Sequence, residues 1–342
     1  MSLTPRIESC IVVGAGISGL LATIRLLHYG YRVIVLDKGG GVGGRMATRR
    51  IEEGVCDHGA QFFTARDPRF AHLVEFFLKA DIVREWCRGF PGANGQANSD
   101  GHPRYRGVAG MTSLPKYLAQ GLDIRTREKV IAVSPQGSGW SVQTESGARF
   151  EADALLMTPP VPQSLALLDA GAVALDPSDR SALEAISYDP CIATMAVMPG
   201  PTRIPAPGAL QHPTELIDFL ADNQQKGISP DACAVTIHAS AKFSRTHWTT
   251  AESEVAALLL DSARAWLPDP PRTVQVHRWR YAKPAQMHPE SILYASGVPP
   301  LAFAGDAFGA PRIEGAALSG WAASEALGAA RNSASGGAEE SG

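Results

Sequence analysis

The sequence predicts an α/β protein of two domains, one built on a parallel sheet drawn from distant parts of the chain, the other on a mixed β-sheet with helices. Three observations predict it. The first 37 residues read as a strand–helix–strand unit with very short connections. Apolar runs of the kind buried on both faces recur at 154–157 and 301–304, stopped by Thr158-Pro159-Pro160 and by Gly305-Asp306. And 342 residues, at about 150 per domain, suffice for two domains.

Taken in order, residues 7–13 form a short apolar run ending in glycines, which suits a fully buried strand. Residues 17–29 place Leu20, Leu21, Ile24 and Leu27 at helical spacing, and Gly30 stands where a helix C-terminus leaves it. Residues 32–37 (RVIVLD) are the second strand. Residues 39–44 are dense in glycine, 70–80 read as an amphipathic helix, and 90–101 (FPGANGQANSDG) as a loop. A helix opened by Thr112 or Ser113 covers 112–121. Short strands at 129–133, 140–144 and 149–150 make an antiparallel meander. The proline-rich 199–213 reads as an irregular connection. Residues 232–239 and 274–281 read as strands flanking a helix over 251–267, and 315–330 as a helix rich in small residues. The tail 332–342 has the Ser/Gly/Glu composition of a disordered segment.

Composition excludes several function classes. With 31 Lys+Arg against 34 Asp+Glu the net charge is −3, and no long basic run exists, so nucleic acid is disfavoured as a partner. Within the basic set, arginine outnumbers lysine 24 to 7, a skew toward the side chain that grips phosphates and carboxylates bidentately. The five cysteines are odd in number, widely spaced and never in C-x-x-C, which argues against a disulfide framework or a zinc ribbon. Residues 10–27 look superficially like a secretion signal, but Gly14, Gly16, Gly19 and Arg25 break it up. No other stretch approaches the roughly 18–20 apolar residues that span a bilayer. The expectation is a soluble cytoplasmic protein, a monomer or weak homodimer, with no membrane association.

Gly14-Ala15-Gly16-Ile17-Ser18-Gly19 is G-x-G-x-x-G between a strand and a helix. Its first glycine permits the tight turn, the second lets backbone approach a pyrophosphate, and the third lets helix pack on strand. The helix N-terminus then offers N–H donors to the phosphates. Asp37 follows Gly19 by 18 residues, at the end of the second strand, where an acid meets a ribose hydroxyl. Alone the glycine pattern is a weak signal; with this context dinucleotide binding outweighs a purely structural turn. The acid disfavours an NADP 2′-phosphate here and leaves NAD and FAD both open.

Further segments bear on that choice. GGGVGGR at 39–45 follows the acid directly, DHGAQFF stands at 57–63, and Phe303-Ala304-Gly305-Asp306, Glu314-Gly315-Ala316 and Ser319-Gly320 stand near the C-terminus. In this order they resemble the flavoprotein amine-oxidase superfamily, whose members wrap FAD with segments from both chain ends. The resemblance implies a Rossmann-like FAD-binding domain of the glutathione-reductase/p-hydroxybenzoate-hydroxylase type over 1–75, 106–160 and 285–331. It implies a substrate domain over 76–105 and 161–284. It places Gly14, Ala15, Gly16, Ser18, Gly19, Asp37, Lys38 and Gly44 at the cofactor, with Arg45 at its pyrophosphate. Gly59, Ala60, Gln61 and Phe62 would run beside the flavin ring, Val130 at the adenine end and Asp306 at the ribityl or pyrophosphate region. Ile313, Gly315 and Ala316 would cap the pyrimidine edge at a helix N-terminus, where N–H groups stabilise the negative charge of reduced flavin.

GAQFFTARD at 59–67, VTIHAS at 235–240, RWRY at 278–281 and GDAF at 305–308 resemble, in more detail, the renalase-like group. Such enzymes hold FAD without a covalent bond and oxidise the 2- and 6-dihydro isomers of NAD(P)H, passing the electrons to O2 to give H2O2. By that resemblance Gln61, His238 and Trp279 line the substrate side, with Tyr188 a further candidate. A dinucleotide substrate needs a second phosphate-binding surface, drawn from Arg45, Arg49, Arg50, Arg66 and Arg69 or from Arg278 and Arg280. On position alone, His238 and Trp279 read instead as core residues and each arginine as solvated surface. No cysteine lies beyond Cys233, so the C-terminal thiol that tethers flavin in some amine oxidases is missing. Hydride transfer needs stacking and orientation rather than an acid/base pair or a metal, and no H-E-x-x-H, G-x-S-x-G or His/Cys cluster stands in the chain. Two readings compete: an amine or polyamine oxidase on the same fold, which needs an aromatic cage or acids, and a non-catalytic flavin- or nucleotide-binding module.

Overall fold

The Ser9–Val13 strand is buried from its second residue onward, so it has no wet face. In the computed structural model, which describes residues 8–92 and 97–336 (side chains excepted at 97–99 and 331–336), it sits inside a six-stranded sheet. The strand order is Leu293–Tyr294, Leu301–Phe303, Ala154–Met157, Ser9–Val13, Arg32–Asp37, Ile124–Thr126. All pairings are parallel except that of the edge strand Leu293–Tyr294, so the apolar runs far apart in sequence do meet in one sheet. Helix Ile17–His28 packs on helix Arg312–Gly336 at close range: a Cβ at Gly320 would lie 2.3 Å from the Ser18 carbonyl oxygen. That approach explains why the second helix is rich in small residues.

Two compact units result. The first lies within Met1–Gly44, Pro115–Ser187 and Pro284–Gly342 and holds this sheet. It also holds the meander, observed as Val130–Gln136, Gly139–Thr144 and Arg149–Ala152. The second lies within Arg45–Leu114 and Tyr188–Lys283. Residues 45–75, grouped with the cofactor half by motif order, fall by compactness in the second unit. The C-terminal helix overruns the predicted 315–330 at both ends, so 332–336 continue the helix instead of starting a disordered tail. Residues 337–342 lie outside the described residues.

The second unit is built on a five-stranded sheet in the order Ala209–Thr214, Ile217–Asp222, Ala234–Ala239, Ser187–Val197, Thr273–Gln286. Ala234–Ala239 pairs antiparallel with both of its neighbours. Ile192, Leu220, Val235 and Ile237 form a core with Val255 and Leu259 of helix Glu252–Ser262. Two expectations fail here. The connection predicted over 199–213 contains most of the Ala209–Thr214 strand, because Pro213 falls at a register irregularity of an edge strand, where proline costs no ladder bond. The loop predicted at 90–101 belongs to a hairpin of Val83–Pro91 and Ala97–Gly107, whose register shifts hide the alternation that marks a strand. Residues 93–96 lie outside the described residues.

Candidate active site

The nucleotide end of the first unit is built from glycines. Gly14 has φ +104 and donates its N–H to the Leu36 carbonyl at 2.8 Å, turning the chain out of the first strand. A Cβ at Gly19 would lie 2.1 Å from the Gly14 carbonyl oxygen, so the turn and the helix close only with glycine there. Gly16, the helix N-cap, makes no side-chain cap, and a Cβ on it would meet nothing within 4 Å. Beside it the Ser18 hydroxyl is buried without a hydrogen-bond partner. Asp37 accepts from the backbone N–H of Ala15 at 2.7 Å and of Gly39 at 2.6 Å, binding both glycine loops to one carboxylate. Gly43 N–H donates to the Ala15 carbonyl, and a Cβ at Gly44 would come 3.8 Å from Gly16 Cα. Free helix N–H groups, an open glycine face, an orphaned hydroxyl and an acid with lone pairs left over fit a dinucleotide pyrophosphate and ribose.

Other predicted cofactor residues take varied places in this unit. Lys38 reaches Gln163 at 3.1 Å. Val130 and Asp306 are buried, and Gly305, at φ +143, donates its N–H to Ser319 Oγ. Ile313, Gly315 and Ala316 form the first turn of the C-terminal helix. Gly315 is obligatory there, since a Cβ would sit 1.8 Å from the Ala310 carbonyl oxygen.

In the second unit, residues 57–61 are held from every side. Asp57 ends the Gly54–Asp57 strand and is fully buried; its Oδ1 accepts from Thr48 Oγ1 and from Met111 N–H at 2.8 Å. Its Oδ2 accepts from Lys226 Nζ at 2.7 Å, and neither side chain has any exposed surface. Lys226 Nζ also lies 3.4 Å from Gln61 Oε1 and 4.8 Å from the Trp86 ring centre. Gln61 Nε2 donates to the carbonyls of Asp57 and Gly59, so its amide braces this segment from within instead of facing a ligand. Gly59 must be glycine, because a Cβ would lie 2.0 Å from the Arg45 carbonyl oxygen, which also accepts from Ala60 N–H. Phe62 packs against Phe90 and Phe219 in an aromatic cluster.

The carbonyl oxygen of His58 is the anchor of the predicted substrate residues. Trp279 Nε1 donates to it at 2.8 Å, and His238 Nε2 lies 3.1 Å from it. The His58 ring stacks on Trp279 at 5.3 Å and 17°, and His277 packs edge-on against both. Tyr281, two residues beyond Trp279, meets Tyr188 at 5.6 Å. His238, Trp279 and Gln61 therefore do come together, and Tyr188, on the strand Ser187–Val197, meets Tyr281 of the strand that carries Trp279. Arg278 and Arg280 do not join them. Strand alternation sends them to the other face, where Arg278 binds Glu252 at 3.0 Å and the Thr250 carbonyl, and Arg280 stacks over Trp248. Arg45 Nη1 donates to the carbonyls of Tyr281 and Ala282, and Arg49 to Gln275. The motifs did not include Lys226 or His277, and Tyr281 stood in RWRY without an assigned role. His277 and Tyr281 were readable as the i±2 neighbours of Trp279, whereas Lys226 sits in a turn with no periodic pattern.

The imidazoles of this cluster are neutral at pH 7. Burial is the main cause: it lowers the His58 pKa to about 3, helped by the protonatable rings of His277 and His238 and by the Arg49 guanidinium. It lowers His238 to about 4 against the pull of the His58 carbonyl, and it lowers His277 as well. An unfolded histidine titrates near pH 6.5, so below that pH the unfolded chain binds protons the folded chain refuses. Stability from these groups is therefore complete above about pH 6.5 and lost as pH falls toward 4. Thermal melts between pH 8 and 4.5 should give a level Tm down to about pH 6.5 and a falling one below. A Tm that dropped only on the alkaline side would contradict this.

Known proteins fit the same frame. The family described as flavin containing amine oxidoreductase matches residues 87–328, and the NAD(P)-binding Rossmann-like domain matches residues 12–77. Renalase of Mus musculus is 26% identical over 294 residues, covering 80% of this chain and 84% of that protein. Among solved structures, putrescine oxidase bound to putrescine superposes with a TM-score of 0.69 at 16% identity, covering 94% of this chain and 99% of that one. The CLA-producing fatty acid isomerase from P. acnes gives 0.67 at 11% identity, covering 95% and 98%. At such identities these two report the fold alone, and a fold alone does not set the substrate. Among the described residues, no helix is long and apolar enough to cross a membrane. With the family matched over most of the chain, the protein belongs to the flavin-containing amine oxidoreductases, as a renalase-like flavin-dependent oxidoreductase.

Proposed function

We propose that the protein is an FAD-dependent oxidase that returns the 2- and 6-dihydro isomers of NAD(P)H to NAD(P)+, with FAD held non-covalently. The observation that favours this reading is the pair of uncharged ring side chains fixed on the His58 carbonyl. There Trp279 and a neutral His238 are fixed on one acceptor, and the carboxylate beneath, Asp57, is closed off by Lys226. Such a pair suits a flat, neutral dihydropyridine, and with Asp57 closed off that carboxylate is not available to a polyamine. When bound, the flavin would supply a two-electron acceptor for the hydride and return the pair to O2, which leaves as H2O2 with two protons, the one carried in the hydride and one from solvent. The protein's part is orientation: Trp279 and His238 hold the ring plane, and no residue has to move a proton for the hydride to leave. The fingerprint loops and Asp37 hold the cofactor's pyrophosphate and ribose in this reading.

Oxygen uptake tests it. The expected result is one H2O2 per NAD+ formed from the 2- or 6-dihydro isomer, with ordinary NADH and putrescine slower by about 100-fold or more in kcat/KM. Turnover of putrescine with none of the isomers would overturn the proposal.

A further inference from the structure

The His58 carbonyl settles which nitrogen of His238 carries the hydrogen. A carbonyl oxygen only accepts, so at 3.1 Å from it His238 Nε2 must be the protonated nitrogen. Gln61 Nε2, 3.5 Å from the same nitrogen, does not compete, because its hydrogens serve the Asp57 and Gly59 carbonyls and its Oε1 lies toward Lys226. A neutral imidazole has one N–H, so Nδ1 of His238 is left as a bare acceptor. Among the described residues nothing bonds to it, and unlike Nδ1 of His58 it is not sealed from solvent. The side chain is thus held by one nitrogen and presents a lone pair with the other.

We infer that His238 selects the carboxamide of the substrate ring, its Nδ1 accepting a hydrogen bond from the amide N–H and disfavouring a carboxylate at the same position. This rests on the dihydronicotinamide reading above. A carboxamide brings two N–H donors; a carboxylate brings only acceptors, which would face the Nδ1 lone pair without a hydrogen between them. Sites that hydrogen-bond a substrate N–H discriminate strongly against an analogue lacking it, because the site's polar atom is then left unpaired.

The test uses the flavin-loaded protein. Nitrogen-15 correlation of the His238 imidazole should place its hydrogen on Nε2 and leave Nδ1 bare; a hydrogen on Nδ1 overturns the inference whatever the substrate is. Titration of the flavin absorbance with NAD+ and with its nicotinic acid counterpart should show a preference of about 100-fold for the amide. His238→Gln keeps a donor toward the His58 carbonyl but offers no acceptor at the Nδ1 position, so the preference should fall to within about threefold. His238→Asn places an oxygen near that position and should keep most of it. Equal binding of both dinucleotides by the wild type, or an unchanged preference in His238→Gln, overturns the inference while the dihydronicotinamide reading survives. Binding of neither dinucleotide overturns both. If His238→Gln does not fold, the nitrogen-15 result and the wild-type preference decide.

Discussion

Lys226→Met should lower the unfolding free energy by about 3–5 kcal/mol, because it strands the Asp57 carboxylate in the interior without its counter-charge. Lys226 and Asp57 show no exposed side-chain surface. The remaining donors to Asp57, Thr48 and Met111 N–H, sit on Oδ1 and cannot replace the ammonium on Oδ2. Burial pulls the Lys226 pKa down, and Asp57 pulls it back up. The double variant Asp57→Asn with Lys226→Met should recover a large part of the loss, since two uncharged groups no longer need each other. Urea unfolding of the four proteins checks this; losses that simply add would mean that the pair is not coupled. Lys226→Met should also free the Gln61 amide and loosen residues 57–61, which carry the His58 carbonyl.

Gly19→Ala should yield protein that purifies colourless, with the FAD dissociation constant raised by about 100-fold or more. The added Cβ would stand 2.1 Å from a backbone oxygen that has no rotamer to escape into, and 3.2 Å from Thr158 Oγ1 and Val12 Cγ1. The first turn would have to open, moving the helix N–H groups off the phosphate. Gly16→Ala separates cofactor binding from folding. Its Cβ meets nothing in the chain, so the apoprotein should melt as the wild type does. The same methyl group nevertheless occupies the face on which the pyrophosphate lies in this account, so flavin affinity should still fall. Gly16→Ala retaining FAD with wild-type affinity would mean that the cradle lies elsewhere.

The nucleotide half was legible because its signal is local and ordered. Strand, glycine turn, helix and acid lie within one short segment, and the buried apolar runs at 154–157 and 301–304 name their own neighbours in a parallel sheet. The second unit was less so. Asp57 and Lys226 are 169 residues apart, and nothing in either segment announces the other. The arginine excess misled differently. It suggested phosphate grips, yet much of it forms forks with carboxylates close in sequence: Arg84 with Asp81, Arg88 with Glu85, Arg104 with Asp100 and Arg125 with Asp123. These pairs are mostly exposed and contribute little stability each, but they engage the guanidinium groups. Arg278 and Arg280 face away from Trp279, as residues either side of it on a strand must.

In the function proposed above, this chain uses a flavin to take hydride from a misplaced position on a dihydronicotinamide ring. Rapid anaerobic mixing of the FAD-loaded protein with 6-dihydroNAD, with ordinary NADH and with a panel of amines tests it most directly. The account predicts that the dihydro isomer bleaches the flavin absorbance within seconds, with NAD+ as product, while NADH and the amines leave it oxidised. Bleaching by the amines alone would contradict the account.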